Sequence, residues 1–163
     1  MRTAVVAGNL KPASRTLAAA ELLAERLTGT PAEVVVDVVT LGPGLLAWGD
    51  PGVSAAIEAV RAADVLIVAS PTYKATYTGV LKLFLDLFPT GGLDGVTAFP
   101  LMLGAGPGHA LAPELSLRPV LVELGAVCPS PGLYLLDSAW AEPDAGAAWL
   151  EVARRRLPTG DPG

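Results

Sequence analysis

The chain has 163 residues, enough for one domain with a packed core. Sixteen acidic against eleven basic residues leave a formal charge of -5, which argues against a nucleic-acid-binding face. No apolar run approaches the roughly eighteen residues of a membrane span, and the single Cys128 excludes an internal disulfide or a multi-cysteine metal site.

That cysteine usage makes a reducing, cytoplasmic home the default. The apolar stretch near the start stops after five residues, too short for a secretory signal. Thr3 to Ala7 reads as a short buried strand. Ser14 is placed to cap a helix whose apolar face includes Leu17, Leu23 and Leu27. Val-rich Glu33 to Val39 reads as a second strand, and residues 42–52 as a Gly/Pro loop. Val53, Ile57 and Val60 mark a short helix, and Asp64 leads into a third strand ending near Ala69. A third helix spans Gly79 to Phe88, with Val80, Leu81, Phe84, Leu85 and Phe88 inward. The fourth strand is Val96 to Leu103, closed by a glycine-rich turn. The next helix covers Ala112 to Leu124, where Pro113 suits a first turn and Pro119 predicts a kink or break. Gly132 to Leu136 is the fifth strand, and Ala145 to Leu157 the last helix, with Arg154, Arg155 and Arg156 on a solvated face.

Apolar strands alternating with amphipathic helices make repeated βαβ units, hence an α/β fold with a parallel five-stranded sheet covered on both faces. Periodicity leaves both doubly wound strand orders open. No linker divides the chain, so residues 1–158 form one expected domain and 159–163 a frayed tail.

In such sheets ligands bind beyond the carboxyl ends of the strands. Three clusters fall there: residues 8–16, 70–79 and 104–109. The first lacks both GxGxxG and a Walker A pattern. It still offers Asn9, Lys11, Ser14, Arg15 and Thr16 beside a helix start, the groups a phosphate needs. A capped loop with two exposed cations is the competing account. In the second, Pro71, Thr72, Tyr73 and Lys74 offer ring and hydrogen-bond contacts, while sheet-edge packing competes as the explanation of Tyr73 and Tyr77. In the third, Gly104, Ala105 and Gly106 let a planar group approach the backbone, or simply make a flexible turn. Phosphate at one end and a flat ring at the other describe a mononucleotide. FMN is the natural candidate, because flavodoxin-type sheets hold it at the first and third strand ends.

The motifs resemble those of the NADPH-dependent FMN reductase family, and most of all its branch feeding two-component alkanesulfonate monooxygenases. GNLKPASRT is similar to that branch's GSPRxxSRS opening, and SPTYKATYTGVLKLFLDLFP at residues 70–89 to its SPVYKAxYSGxLKxxLDLLP. GHALAPELSLRPVLVELGA at 108–126 and GLYLLDS at 132–138 continue the similarity. The resemblance implies a flavodoxin-like three-layer sandwich of strand order 2-1-3-4-5. It implies that Asn9, Lys11, Ser14, Arg15 and Thr16 surround the FMN phosphate. Pro71, Thr72, Tyr73 and Lys74 would line the ribityl and ring region, and Gly104, Ala105 and Gly106 the far ring edge. It further implies a homodimer or homotetramer, NADPH or NADH as the reductant, and a flavin-dependent monooxygenase as partner. Three departures stand out: Asn9 and Lys11 replace the usual serine and arginine, Leu115 replaces a tyrosine tied to a helical bulge, and a long C-terminal extension is missing, so altered tetramer contacts are expected.

The expected reaction passes hydride from nicotinamide C4 to flavin N5 and needs no protein nucleophile. Accordingly His109 reads as a loop or cap residue, Asp86 and Asp137 as partners of basic groups or caps, and Cys128 as packing. The alternatives are an FMN-retaining quinone, azo or metal reductase, a non-enzymatic electron carrier, and a nucleotide-binding module without turnover.

Overall fold

The computed structural model describes residues 1–159, so most of the expected frayed tail lies outside the described residues. The strands β1 (Thr3–Ala7), β2 (Val34–Asp37), β3 (Val65–Pro71), β4 (Thr97–Gly104) and β5 (Leu133–Leu136) form one sheet. All neighbours pair parallel, in the order β2-β1-β3-β4-β5. The helices are α1 (Arg15–Thr28), α2 (Pro51–Arg61), α3 (Gly79–Leu85), α4 (Arg118–Glu123) and α5 (Ala147–Arg154). Among the described residues no helix is long and apolar enough to cross a membrane.

Successive side chains of a strand point to opposite faces, and here both faces are covered. Val5, Ile67, Phe99 and Leu101 pack with Ala20, Leu23 and Leu27 of α1 and Leu150 of α5. Val6, Val68, Ala98 and Met102 pack with Val53, Ile57, Leu81, Phe84 and Leu121 from α2, α3 and α4. The period-two register of the central strands therefore divides one apolar run into two cores. Fully burying a side chain such as Phe84 contributes about 1.5–3 kcal/mol.

Pro100 interrupts β4, a central strand where a missing N-H is normally costly. The flanking even-numbered Ala98 sends its N-H to Val127 O (2.8 Å), away from β3. By that alternation the Pro100 nitrogen faces the gap between this bridge and β5, whose ladder with β4 begins only at Leu101. No ladder bond is lost.

Several element ends differ from the sequence expectation. β2 stops at Asp37 instead of Val39, because its only neighbour, β1, ends opposite it at Ala7. The chain then makes two 3-10 turns within Val38–Leu46, joined by a kink at Gly42 (φ 55°), inside what reads as strand end and loop, and α2 already begins at Pro51, capped by Asp50. β3 continues to Pro71, since β4 still pairs with Ser70 and Pro71. α5 is shorter than expected at both ends. The expected break at Pro119 takes the form of a π turn over Pro113–Leu117 followed by α4. A proline ring clashes with the carbonyl four residues earlier, and widening the helix there relieves the clash. The bulge thus exists with Leu115, not tyrosine, at its exposed centre.

The site-bearing ends of β1 and β3 meet at α3. A Cβ on Gly8 would lie 2.3 Å from Leu81 Cβ and 2.9 Å from its backbone Cα. Only glycine permits this approach, and the backbone atom leaves no rotamer escape. Gly8→Ala is expected to lose about 2–3 kcal/mol of stability, measured by urea denaturation; a change below the error of that measurement would show that α3 shifts freely.

Candidate functional site

The carboxyl edge of the sheet carries a cavity of about 390 Å³, lined by Asn9, Lys11, Ala13, Ser14, Arg15, Thr16, Pro71, Thr72, Tyr73, Leu103, Gly104, Ala105 and Asp137. This size suits a small-molecule ligand. All three sequence clusters contribute. Of the expected site residues only Lys74 and Gly106 stand outside the lining, while Ala13, Leu103 and Asp137 join it.

One end concentrates cations and hydrogen-bond donors. Ser14 caps α1, its hydroxyl accepting the Leu17 N-H at 3.2 Å, and its carbonyl takes the Ala18 N-H at 3.1 Å. Those two bonds leave the N-H groups of Arg15 and Thr16, the first two helical residues, directed out of the helix start. Asn9 organises the loop instead of standing free: its Nδ2 donates to Thr16 Oγ1 at 3.1 Å, and its Oδ1 accepts the Lys11 N-H at 3.1 Å. Ala13 sits at φ 49° and donates its N-H to Asp37 Oδ2 at 2.8 Å. The other Asp37 carboxylate oxygen is buried without a partner among the described residues. A left-handed alanine held by a carboxylate from β2 is a strained turn kept by tertiary structure.

The opposite end is less polar: Pro71, Tyr73, Leu103, Gly104 and Ala105 line it together with Thr72, whose Oγ1 is buried without a partner among the described residues. Tyr73 and Thr76 exchange backbone hydrogen bonds of 2.9 and 3.2 Å around Lys74 and Ala75, at φ 51° and 71°. Lys74 is carried outward at the tip of this tight turn. Gly104 packs against Tyr134 as well as lining the cavity, since an added Cβ would fall 1.9 Å from the Tyr134 hydroxyl. That hydroxyl donates to Gly106 O at 2.6 Å and fixes the third loop from behind.

The remaining candidates sort by location. Tyr77 is half-buried against the α2–α4 core, which explains it as packing. His109 is exposed in a 3-10 turn outside the cavity. Asp86 pairs with Lys82 at 2.6 Å on α3. Arg154 Nε donates to Arg26 O at 3.1 Å, so that arginine ties α5 to the end of α1 instead of only being solvated. Asp137 meets Arg15 across the cavity, with Arg15 Nη1 donating to its carbonyl at 3.2 Å and Nη2 lying 3.8 Å from its Oδ2. Its position directly after β5 was the signal for a site role, since ligands gather beyond strand ends.

A buried unpartnered hydroxyl, free helix-start N-H groups, two cations and a less polar far wall fit a mononucleotide with phosphate at α1 and a planar ring beside Tyr73. Fold and site together define a flavodoxin-type nucleotide-binding protein. Within that class the chain belongs to the NADPH-dependent FMN reductase family, whose pattern matches residues 1–141. It is 36% identical over 142 residues to an FMN reductase (NADPH) of Escherichia coli strain K12, covering 85% of this chain and 74% of that one. It is 30% identical over 142 residues to the NADH-dependent FMN reductase SfnF of Pseudomonas putida, covering 82% and 76%. Among solved structures, the apo form of an NADH:FMN oxidoreductase (EMOB) superposes with a TM-score of 0.86 at 30% identity, covering 99% and 91%.

Cys128 lies in the core, not the site. Burial pushes its thiol up to about 11 from 9.0, with Arg118 opposing the rise. Folding therefore favours the protonated thiol, and stability is expected to fall as pH climbs from about 9, where the unfolded thiol ionises, towards about 11. Cys128→Ala should flatten that part of a pH series of urea midpoints; an unchanged slope would assign the loss to other groups.

Proposed function

We propose that the chain is an NAD(P)H-dependent FMN reductase, and that its cavity holds FMN as an exchangeable substrate. The carrying observation is the single cavity that joins the α1 helix start, Lys11 and Arg15 to the Pro71–Tyr73 wall. When bound, FMN supplies the ring that takes a hydride from reduced nicotinamide. The chain's residues have positioning tasks. Ser14, Thr16, Lys11, Arg15 and the helix-start N-H groups hold the phosphate, with Asn9 shaping their loop. Pro71, Thr72 and Tyr73 fix the ribityl and ring end, and Gly104 and Ala105 border its far edge. Lys74 and Gly106 act from just outside, as the tip of the turn and the anchor of the third loop. No general acid or base is required, and His109 stands apart from the cavity.

The relatives include both NADPH- and NADH-dependent reductases by name, which supports either reductant. The partner is a flavin-dependent monooxygenase that receives the reduced flavin. Exposed Leu111, Leu115 and Val122 around the π turn support a homodimer or homotetramer. Residues 1–158 act as one cytoplasmic domain.

Purified protein should oxidise NADPH or NADH at a rate that rises and saturates with added free FMN. Turnover of quinone with FMN retained would replace exchange by the retained-flavin reading, and no nicotinamide oxidation with any acceptor would sink the reductase reading. Arg15→Ala should raise the KM for FMN about tenfold, as expected for losing one charge-assisted phosphate contact. An unchanged KM would remove Arg15 from the phosphate site.

A further inference from the structure

We propose that Asp137 is an affinity-lowering residue, one that competes with the FMN phosphate for Arg15 and so keeps the flavin releasable. This rests on the FMN reading above. Asp137 is the only carboxylate among the residues lining the cavity, where Lys11 and Arg15 are the cations. It is not a loosely placed surface acid. Its N-H donates to Gly104 O at 3.0 Å, which fixes it to the end of β4 at the cavity rim. Its carbonyl and carboxylate both engage the Arg15 guanidinium, at 3.2 and 3.8 Å. A site selected only for tight phosphate binding would surround the dianion with free donors. Here the arginine at the helix start is already committed, and a fixed negative charge shares the cavity with the incoming one.

Two costs follow for a phosphate entering this end. It must share or displace the Arg15–Asp137 contact, and it meets like-charge repulsion from Asp137. Both costs fall on flavin carrying phosphate and not on riboflavin, which lacks it. Both are also absent from hydride transfer itself, so the carboxylate loosens the flavin without touching the reacting ring. Side-chain exposure on both partners keeps the effect moderate, since water screens such pairs.

Asp137→Asn removes the charge while leaving the carbonyl that docks Arg15. Equilibrium binding of FMN and of riboflavin is measured by flavin fluorescence quenching on the full chain. Release rates are measured by stopped flow, and folding by circular dichroism. Asp137→Asn should tighten FMN about fivefold, slow its release in proportion, and leave riboflavin within about twofold. High salt should narrow the gap from wild type. In an Arg15→Ala background the gain should shrink, because competition for the arginine is gone. Asp137→Ser provides the same comparison should the asparagine variant fail to fold. Unchanged or weaker FMN binding would overturn the proposal and make Asp137 an orienting partner of Arg15; equal tightening of riboflavin would overturn it as well. Wild-type protein that folds but takes up no FMN would remove the FMN reading together with this one, whereas wild type that binds beside variants that do not tighten removes only this one.

Discussion

The hydroxyl of Thr78, together with the residue's N-H, ties the ends of β1 and β3, two of the strand ends that carry the cavity, to the start of α3. It donates to Gly8 O at 2.6 Å and accepts the Leu81 N-H at 3.3 Å, so it caps α3 and seizes the end of β1 together. Its own N-H goes to Ser70 Oγ at 3.0 Å, and that hydroxyl donates to Pro71 O at 2.8 Å. Both side chains are buried, where each bond is protected from water and each missing partner is costly. Gly8 must be glycine for this contact to close, since Leu81 occupies the space of a Cβ. The loop that follows β1 and the loop that follows β3 are thereby fixed relative to one another.

This knot divides the polar residues of the 70–79 stretch by job. Ser70 and Thr78 serve the fold, Tyr77 packs on the core, and Pro71, Thr72 and Tyr73 line the cavity. The same economy appears in the first loop, where Asn9 and Asp37 spend their side chains on the loop's own backbone and neighbours. Side chains on this edge therefore preorganise donors around the α1 helix start and Lys11, while Arg15 is in contact with Asp137. Positioning of this kind is what a reaction between two bound rings asks of a protein. Asp137 is the exception, a carboxylate set among the donors and in contact with Arg15.

Strand order and the two-faced core were legible early, because alternating strands and amphipathic helices admit few packings and the motifs selected one of them. Val5 against Val6, or Ile67 against Val68, could be sent to opposite faces from period two alone. Element ends were less legible. The stop at Asp37 depends on where β1 runs out, and the extension to Pro71 on how far β4 reaches; both are facts about a neighbour. Pro119 announced a broken helix, and the structure gives the break the form of a π turn in which the Arg118 N-H reaches back to Pro113 O.

At the site, the sequence by itself determined which chemistry was available: hydroxyls and cations around the start of α1, a proline and tyrosine at the end of β3, glycines at the end of β4. Those follow from residue type and position along a strand-loop-helix unit, which are local. Only the tertiary structure decided which groups are free and which are spent. Asn9 turns inward on Thr16, a Cβ at Gly104 would collide with the Tyr134 hydroxyl, and Asp137 reaches Arg15 from 122 residues away. Hydrogen-bond partners across such separations are set by the closing of the sheet, and no local pattern in the chain records them.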